Sequence, residues 1–321
     1  MRSWPLTVGG VLVALAVATG TAAADRRRPV PRWQTLPEVP ALPTPAREGD
    51  LAVEDATIHY AVFGRGRPVV LLHGGCGHGG QFGFQVPALA AGHQVIVVDA
   101  RGQGRSGVPA SGLGYHAMAE DVVAVLDHLA LPRAAVIGWS DGAIVALDLA
   151  MHHADRVDGV LAFAGNVDRA GTARPRAKAV FDRYYARCKV EQEALQPDVV
   201  RRTAARAALR AMWKKEPRYT AAQVKAIAAP LTVVHADHDE LIRADHARTI
   251  ATLVPGATLV TLRDVGHFAM WQDPEQFNRV ALAFLAGLPA PPPTLPAPKP
   301  AVVPAPRPAR VPAPQPAAAR P

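Results

Sequence analysis

The sequence predicts an α/β domain with a doubly wound, mostly parallel sheet and a helical cap inserted into it. Of the 321 residues, 49% are hydrophobic and 19% are charged, so the chain has enough apolar side chains for a sizeable core. Short runs of Val, Leu and Ile alternate with stretches of helical periodicity, which is typical of repeated βαβ units. One long stretch, 166–229, has only helical patterns and interrupts this alternation.

Seven strands are predicted, at 57–63, 69–73, 95–99, 135–138, 157–164, 231–236 and 258–262. Several of these runs are continuously apolar, as expected for strands that are buried on both faces of a sheet. The main helices are predicted at 115–130, 141–153, 244–254 and 274–288. The last begins with Pro274, which suits a first helical turn because its missing N–H costs nothing there.

Proline marks both ends of the predicted domain. Residues 289–321 contain 14 prolines in 33 positions, with four basic residues and no acidic one. This composition predicts an extended, disordered tail, and its charge makes it a candidate for association with the cell envelope. Residues 25–50 form a Pro- and Arg-rich arm. The 238 residues of 51–288 are a normal length for one α/β domain, with the cap at about 166–229.

The first 24 residues have the pattern of a secretory signal peptide. Arg2 precedes an apolar stretch at 6–18, and three alanines end at Ala24. An uncleaved membrane anchor is less favoured, because this stretch is shorter than the roughly 20 residues of a membrane span. We therefore expect cleavage before Asp25 and a periplasmic or secreted protein.

The net charge of +8 is unevenly distributed. The stretch 166–229 holds 15 basic and 6 acidic side chains, whereas the rest of the domain is net acidic. Aromatic residues make up only 6% of the chain, which argues against a nucleic-acid-binding protein. A basic insertion instead favours an anionic substrate or an acidic envelope surface.

A nucleophile motif follows the predicted strand at 135–138. Its residues, Gly138-Trp139-Ser140-Asp141-Gly142, have the form G-x-S-x-G and open a predicted helix. The flanking glycines permit a strained turn that exposes the serine hydroxyl at the N-terminus of the helix. The strand-turn-helix context makes Ser140 a candidate nucleophile.

A serine nucleophile needs a general base and an acid that orients the base. In this type of fold the chain order is Ser, then Asp or Glu, then His. Asp237 and Asp239 follow the predicted strand at 231–236, and His267 follows the last predicted strand. Order and position alone leave both aspartates as candidate acids.

Five motifs together resemble the α/β-hydrolase superfamily over essentially all of 51–288. They are His73-Gly74-Gly75, DARGQGRS at 99–106, GWSDGA at 138–143, ADHDELI at 236–242 and VGH at 265–267. The forms GWSDG and D-x-R-G-x-G-x-S are most similar to the biphenyl-hydrolase-like and valacyclovirase-type branch. The resemblance implies Ser140 as nucleophile, His267 as general base and Asp239 as orienting acid, with Asp237 in reserve.

The resemblance also implies an oxyanion hole and no metal or other cofactor. The backbone N–H groups of Gly75 and Asp141 are the expected donors, with Cys76 as an alternative because the glycine-rich loop leaves the register open. Trp139 and Phe268 flank the nucleophile and base, and with Cys76 they are candidate residues of the substrate pocket. The Asp141 carboxylate is interpreted either as a helix N-terminal acid or as a site for a substrate ammonium group.

The predicted function is an exported serine esterase that cleaves a carboxylic ester, or a related acyl bond, of a small molecule through an acyl-enzyme. An acyltransferase or a ligand-binding receptor on the same fold are alternatives. An NAD-binding oxidoreductase is a third, because Gly75-x-Gly77-x-x-Gly80 followed by Asp99 resembles a dinucleotide-binding fingerprint.

Three histidines and two cysteines complete the set of reactive side chains. The histidines His235, His238 and His246 lie close together in sequence, but their spacing is not that of a zinc site, so we expect them to be solvated or hydrogen-bonded. The sequence leaves open whether Cys76 and Cys188 form a disulfide. It also leaves the oligomeric state and the acyl and leaving groups of the substrate open.

Overall fold

The computed structural model describes Met1 and residues 29–109, 111–173 and 178–290. Most of the predicted signal peptide and almost all of the Pro-rich tail therefore lie outside the described residues. The chain divides into two units, Met1–Val30 and Pro31–Pro321, and every element below belongs to the second. Within the described ranges, no helix has the length and apolar character needed to cross a membrane.

The described residues form one sheet of eight strands in the order β1-β2-β4-β3-β5-β6-β7-β8. β1 pairs antiparallel with β2, and β2 pairs antiparallel with β4, while all the remaining pairs are parallel. The strands are β1 Arg47–Ala52, β2 Thr57–Phe63, β3 Arg67–Leu72, β4 His93–Val98, β5 Ala134–Trp139, β6 Val157–Phe163, β7 Leu231–Ala236 and β8 Thr258–Leu262.

Helices connect the parallel strands and cover both faces of the sheet. They are α1 Gln85–Ala90, α2 Tyr115–His128, α3 Asp141–His152, α4 Lys178–Leu195, α5 Val199–Lys215, α6 Ala221–Lys225, α7 Ala244–Leu253, α8 Ala269–Gln272 and α9 Pro274–Gly287. Val70 and Leu72 of β3 pack into one hydrophobic cluster, whereas Val69 and Leu71 pack into the other. Because successive side chains of the strand enter opposite clusters, the buried part of β3, residues 69–72, is apolar at every position.

The predicted fold class is confirmed, and each of the seven predicted strands has a counterpart within two residues at either end. The sequence did not predict β1, which begins inside the segment assigned to the arm. This strand lies at the sheet edge and pairs only with β2, so it alternates exposed and half-buried residues instead of forming an apolar run.

The stretch between β6 and β7 contains α4, α5 and α6. Two side chains from these helices reach the loops at the carboxyl ends of β3 and β5. The Tyr184 hydroxyl donates to the carbonyl oxygen of Gly75 at 2.8 Å, and the Trp213 indole N–H donates to the Asp141 carboxylate at 2.7 Å. α4 and α5 therefore cover the edge at which open α/β sheets bind ligands.

The segment before β1 is bound to α4 and α8. Arg187 of α4 donates hydrogen bonds to the carbonyl oxygens of Leu36 and Pro37, at 3.1 and 2.8 Å. The Gln272 amide donates to the carbonyl oxygens of Trp33 and Thr35, at 3.2 and 3.0 Å. This segment therefore links α4, in the insertion, to α8, the first helix after β8.

Candidate active site

Ser140 stands on a strained turn between β5 and α3. Its backbone has φ 54° and ψ −118°, a conformation that residues other than glycine rarely adopt. A Cβ atom on Gly142 would collide with the carbonyl oxygen of Leu72, and one on Gly138 would collide with the carbonyl oxygen of Gly142. The two glycines of the motif are therefore required by close backbone packing.

The structure brings Ser140, His267 and Asp239 into one hydrogen-bonded chain. The Oγ atom of Ser140 lies 3.0 Å from Nε2 of His267. On the opposite side of the ring, Nδ1 of His267 lies 3.1 and 3.2 Å from the two carboxylate oxygens of Asp239. These distances allow a proton to pass from the hydroxyl to the imidazole while the carboxylate fixes the ring.

The turn after β7 selects Asp239 and not Asp237 as the partner of His267. The Oδ1 atom of Asp239 accepts hydrogen bonds from the backbone N–H groups of Leu241 and Ile242, at 2.9 and 2.8 Å, and the side chain is fully buried. Asp237 is exposed and accepts a hydrogen bond from the backbone N–H of Asp264. It therefore lies outside the chain formed by Ser140, His267 and Asp239.

Two buried side chains hold the backbone of His267. The Trp139 indole donates to its carbonyl oxygen at 2.9 Å, and the Glu240 carboxyl accepts from its N–H at 2.9 Å. Burial raises the pKa of Glu240, and its second oxygen has no hydrogen-bond partner among the described residues. Sequence analysis did not identify Glu240, because a glutamate next to a candidate acid has no distinguishing pattern until the fold places it beside His267.

The charge of Asp239 controls the protonation of His267. Burial acts to lower the pKa of His267, but the Asp239 carboxylate and its hydrogen bond raise it by more. The pKa of this imidazole therefore lies above its ordinary value of 6.5. Such a ring is a stronger proton acceptor than a buried histidine without a charged partner.

Two backbone donors are available beside Ser140. The N–H groups of Gly75 and Asp141 have no hydrogen-bond acceptor among the described residues. The Cys76 N–H instead donates to the Gln103 side chain at 2.7 Å. This contact leaves Gly75, and not Cys76, as the second candidate oxyanion donor.

The Asp141 carboxylate is buried beside the nucleophile. It accepts hydrogen bonds from the Tyr115 hydroxyl at 2.9 Å and from the Trp213 indole at 2.7 Å. Burial raises the pKa of Asp141, although both hydrogen bonds oppose this effect. No basic side chain of the described residues forms an ion pair with it, so a substrate ammonium group would find an unpaired acid here.

A cavity of about 290 Å³ contains the candidate nucleophile and base, and we call it the nucleophile cavity. Trp139, a candidate pocket residue, lines this cavity together with Phe181 and Tyr184 of α4. Phe268, also predicted to line the pocket, is instead fully buried and stacks on Trp271 in the core. Its ring packs against the rings of Trp139, Phe181 and Tyr184, so it lies in the core behind side chains that line the cavity.

The glycine-rich loop after β3 is tied to Asp99. The Asp99 carboxylate is 2% exposed and accepts hydrogen bonds from the backbone N–H groups of Gly79 and Arg105, at 2.6 and 2.8 Å. In the dinucleotide-binding alternative this acid would be free to bind a ribose hydroxyl. The observed hydrogen bonds instead give Asp99 a structural role in the loop.

The three histidines near the acid loop have separate surroundings. His246 accepts a hydrogen bond from the backbone N–H of Val167, and His238 stacks on Trp33. His235 is buried, which lowers its pKa. Cys76 and Cys188 are both free thiols.

The chain belongs to the alpha/beta hydrolase family, whose family model matches residues 69–280. The resemblance to the superfamily is therefore confirmed, and the protein is a hydrolase. Its finer placement in the biphenyl-hydrolase-like branch stays a prediction.

Relatives match most of the chain. RutD of Variovorax paradoxus is 33% identical over 264 residues, which are 73% of this chain and 98% of that protein. The 2-hydroxy-6-oxononadienedioate/2-hydroxy-6-oxononatrienedioate hydrolase of Burkholderia vietnamiensis is 29% identical over 269 residues, covering 73% and 93%. Among solved structures, Est816, described as an N-acyl homoserine lactone degrading enzyme, is 28% identical with a TM-score of 0.61, covering 74% of this chain and all of that one.

Proposed function

We propose that this hydrolase is a serine esterase that cleaves carboxylic esters and lactones of small molecules through an acyl-enzyme. The observation that carries the proposal is the hydrogen-bonded chain from Ser140 through His267 to Asp239, with its nucleophile on a strained turn. This arrangement has the geometry of a nucleophile, a general base and an orienting acid.

In the first half-reaction, the Ser140 hydroxyl attacks the ester carbonyl carbon while Nε2 of His267 takes its proton. Asp239 accepts a hydrogen bond from Nδ1 and stabilises the imidazolium. His267 then gives the proton to the leaving alcohol, and the acyl group stays on the serine oxygen. In the second half-reaction, water replaces the alcohol, and the same proton transfers release the acid and restore the hydroxyl.

The tetrahedral intermediates place a negative charge beside the loop after β3. The N–H groups of Gly75 and Asp141 would donate to this oxyanion. Each such donor contributes on the order of 3 kcal/mol to stabilisation of the transition state. The positive end of α3 adds to the same field, because Ser140 directly precedes its first residue.

The size of the nucleophile cavity supports small substrates, since about 290 Å³ is near the lower end of ligand pockets. The relatives support acyl bonds of small molecules. Est816 is described as degrading an N-acyl homoserine lactone, and the Burkholderia protein is named as a hydrolase of 2-hydroxy-6-oxononadienedioate. Lactones and esters share the carbonyl chemistry that a serine nucleophile attacks.

Steady-state hydrolysis of p-nitrophenyl esters of different acyl lengths tests the proposal. We expect turnover by the wild type and a loss on the order of 10⁴-fold or more in Ser140→Ala. Products are analysed with and without added alcohols, because an acyltransferase would form new esters in preference to the free acid. A single acylation without turnover would favour the receptor alternative.

We also propose that the protein is exported after removal of its first 24 residues. The support is the sequence pattern alone, a basic start, an apolar stretch and small residues before Asp25. Fractionation of cells and intact-mass analysis of the isolated protein test this proposal. We expect an N-terminus at Asp25 in the exported fraction, and an uncleaved chain in the cytoplasm or the membrane would contradict it.

A further inference from the structure

A second cavity of about 480 Å³ lies between α4, α5 and the loops at 76 and 102–108, and we call it the basic chamber. Its apolar lining includes Val108, Ala205 and Leu209. It is larger than the nucleophile cavity, and the chemistry described above leaves it without a role.

The basic chamber and the nucleophile cavity are neighbours. Tyr185 and Trp213 line both of them. The Trp213 indole is bound to the Asp141 carboxylate, next to the nucleophile. A Cβ atom on Gly75 would collide with the Trp213 ring, so this ring also touches the candidate oxyanion loop. A substrate held at Ser140 that extends past Trp213 would therefore enter the basic chamber.

One face of α5 supplies positive charge to this chamber. Arg202, Arg206 and Arg210 are spaced by four residues, so they lie on the same side of the helix, and all three line the chamber. Arg202 donates to the carbonyl oxygen of Gln196. Among the described residues, Arg206 and Arg210 have no hydrogen-bond acceptor and no ion-pair partner.

No residue that lines the chamber is acidic. The fourth basic residue of the lining, Lys189, lies 3.9 Å from Glu193 and is partly neutralised. The two thiols of the lining carry no charge at neutral pH, because burial raises the pKa of Cys76 and of Cys188 to about 12. Arg206 and Arg210, which are exposed and unpaired among the described residues, are therefore the main source of positive charge at the chamber.

We propose that the basic chamber binds a carboxylate at the far end of the ester substrate, with Arg206 and Arg210 as its partners. The substrate class is thus the half-ester, or the lactone, of a molecule that carries a second acid group. This inference rests on the proposed function, because it assigns the far end of a substrate whose ester carbonyl lies at Ser140. The apolar lining suits the methylene chain between the two groups, and the guanidinium groups suit the carboxylate.

The test compares p-nitrophenyl half-esters of glutaric, adipic and suberic acid with the same compounds capped as methyl esters. In wild type we expect higher kcat/KM for the charged compound of at least one chain length, and a decrease of this preference with added salt. Arg206→Gln combined with Arg210→Gln should lower kcat/KM for that compound about tenfold, since exposed ion pairs are each worth about 0.7 kcal/mol. The methyl-capped compound should be unaffected.

The matched control is Arg201→Gln, on the same helix. Arg201 is exposed, lies 3.5 Å from Asp198 and does not line the chamber. The control should keep wild-type preference for the charged compound. If charged and capped compounds have equal kcat/KM at every length, or if the double variant loses activity equally on both, the assignment of the chamber is wrong.

A binding measurement separates this inference from the proposed function. Calorimetry with suberate and the Ser140→Ala variant measures binding without turnover, and Arg206→Gln with Arg210→Gln should weaken it about tenfold. Hydrolysis of neutral esters without suberate binding would overturn the chamber assignment alone. Suberate binding in a protein that hydrolyses no ester would overturn the proposed function alone.

Discussion

Replacing Asp239 with Asn is expected to abolish most activity while leaving the fold intact. The side chain is fully buried, and its Oδ1 atom accepts two backbone hydrogen bonds from the turn at Leu241 and Ile242. An asparagine keeps these bonds only if its carbonyl oxygen takes the place of Oδ1. Its NH₂ group then faces Nδ1 of His267.

That orientation favours the wrong tautomer of His267, because a donor replaces the carboxylate oxygen 3.2 Å from Nδ1 and the remaining oxygen already accepts two backbone hydrogen bonds. When Nδ1 accepts a hydrogen bond from the asparagine, Nε2 carries the proton and cannot accept the one from Ser140. Because the Asp239 carboxylate is also lost, the largest contribution that opposes burial is removed, and the pKa of His267 falls below its value in the wild type. In a comparable triad the same change lowers kcat on the order of 10⁴-fold, about 5 kcal/mol of transition-state stabilisation.

The assay is kcat/KM for a neutral p-nitrophenyl ester across the pH range, with thermal unfolding as the check on folding. The matched control is Asp237→Asn, which changes the exposed aspartate two residues earlier in the same turn. We expect wild-type activity from the control. Loss of activity in Asp237→Asn together with full activity in Asp239→Asn would refute the assignment of the acid.

Four further outcomes are expected. Since the base must be neutral and the pKa of His267 is raised, kcat/KM should increase with pH and reach half its maximum above pH 6.5, and a midpoint below this value would contradict the role of Asp239. Glu240→Ala leaves the buried N–H of His267 without an acceptor and should cost about 1–3 kcal/mol in the free energy of unfolding, measured with urea, whereas Glu240→Gln should restore most of it. Arg187→Ala removes two of the hydrogen bonds that α4 makes to the segment before β1 and should lower the Tm by several degrees; an unchanged Tm would show that these bonds do not stabilise the fold. Aminoacyl esters should react faster than their des-amino analogues, and Asp141→Asn should remove the difference, so equal kcat/KM for such a pair in the wild type would exclude an ammonium site.

The order of motifs along the chain was enough to predict the fold and to propose the members of the triad. The reason is local: parallel strands buried on both faces must be apolar throughout, and a strand-turn-helix with two glycines has a clear pattern. Sequence position alone could not distinguish Asp237 from Asp239 as the acid, because both follow β7. In the structure, the backbone N–H groups of Leu241 and Ile242 orient the Asp239 carboxylate toward His267.

Other features of the site depend on contacts between distant segments. Trp213 of α5 reaches Asp141, 72 positions earlier, and Glu240 reaches the backbone of His267, 27 positions later. No periodicity or spacing in the sequence encodes such pairs. The burial of Phe268 could not be predicted either, because its position next to His267 in the sequence does not show which of the two side chains enters the core.

Covalent labelling shows whether Ser140 is an activated nucleophile. The protein is treated with a fluorophosphonate probe and its intact mass is measured, alongside Ser140→Ala and His267→Ala. We predict one adduct on the wild type and none on either variant, because the phosphonate reacts only with a serine oxygen whose proton a neighbouring base removes. A folded wild type without an adduct, or an adduct that persists in Ser140→Ala, would show that Ser140 is not an activated nucleophile.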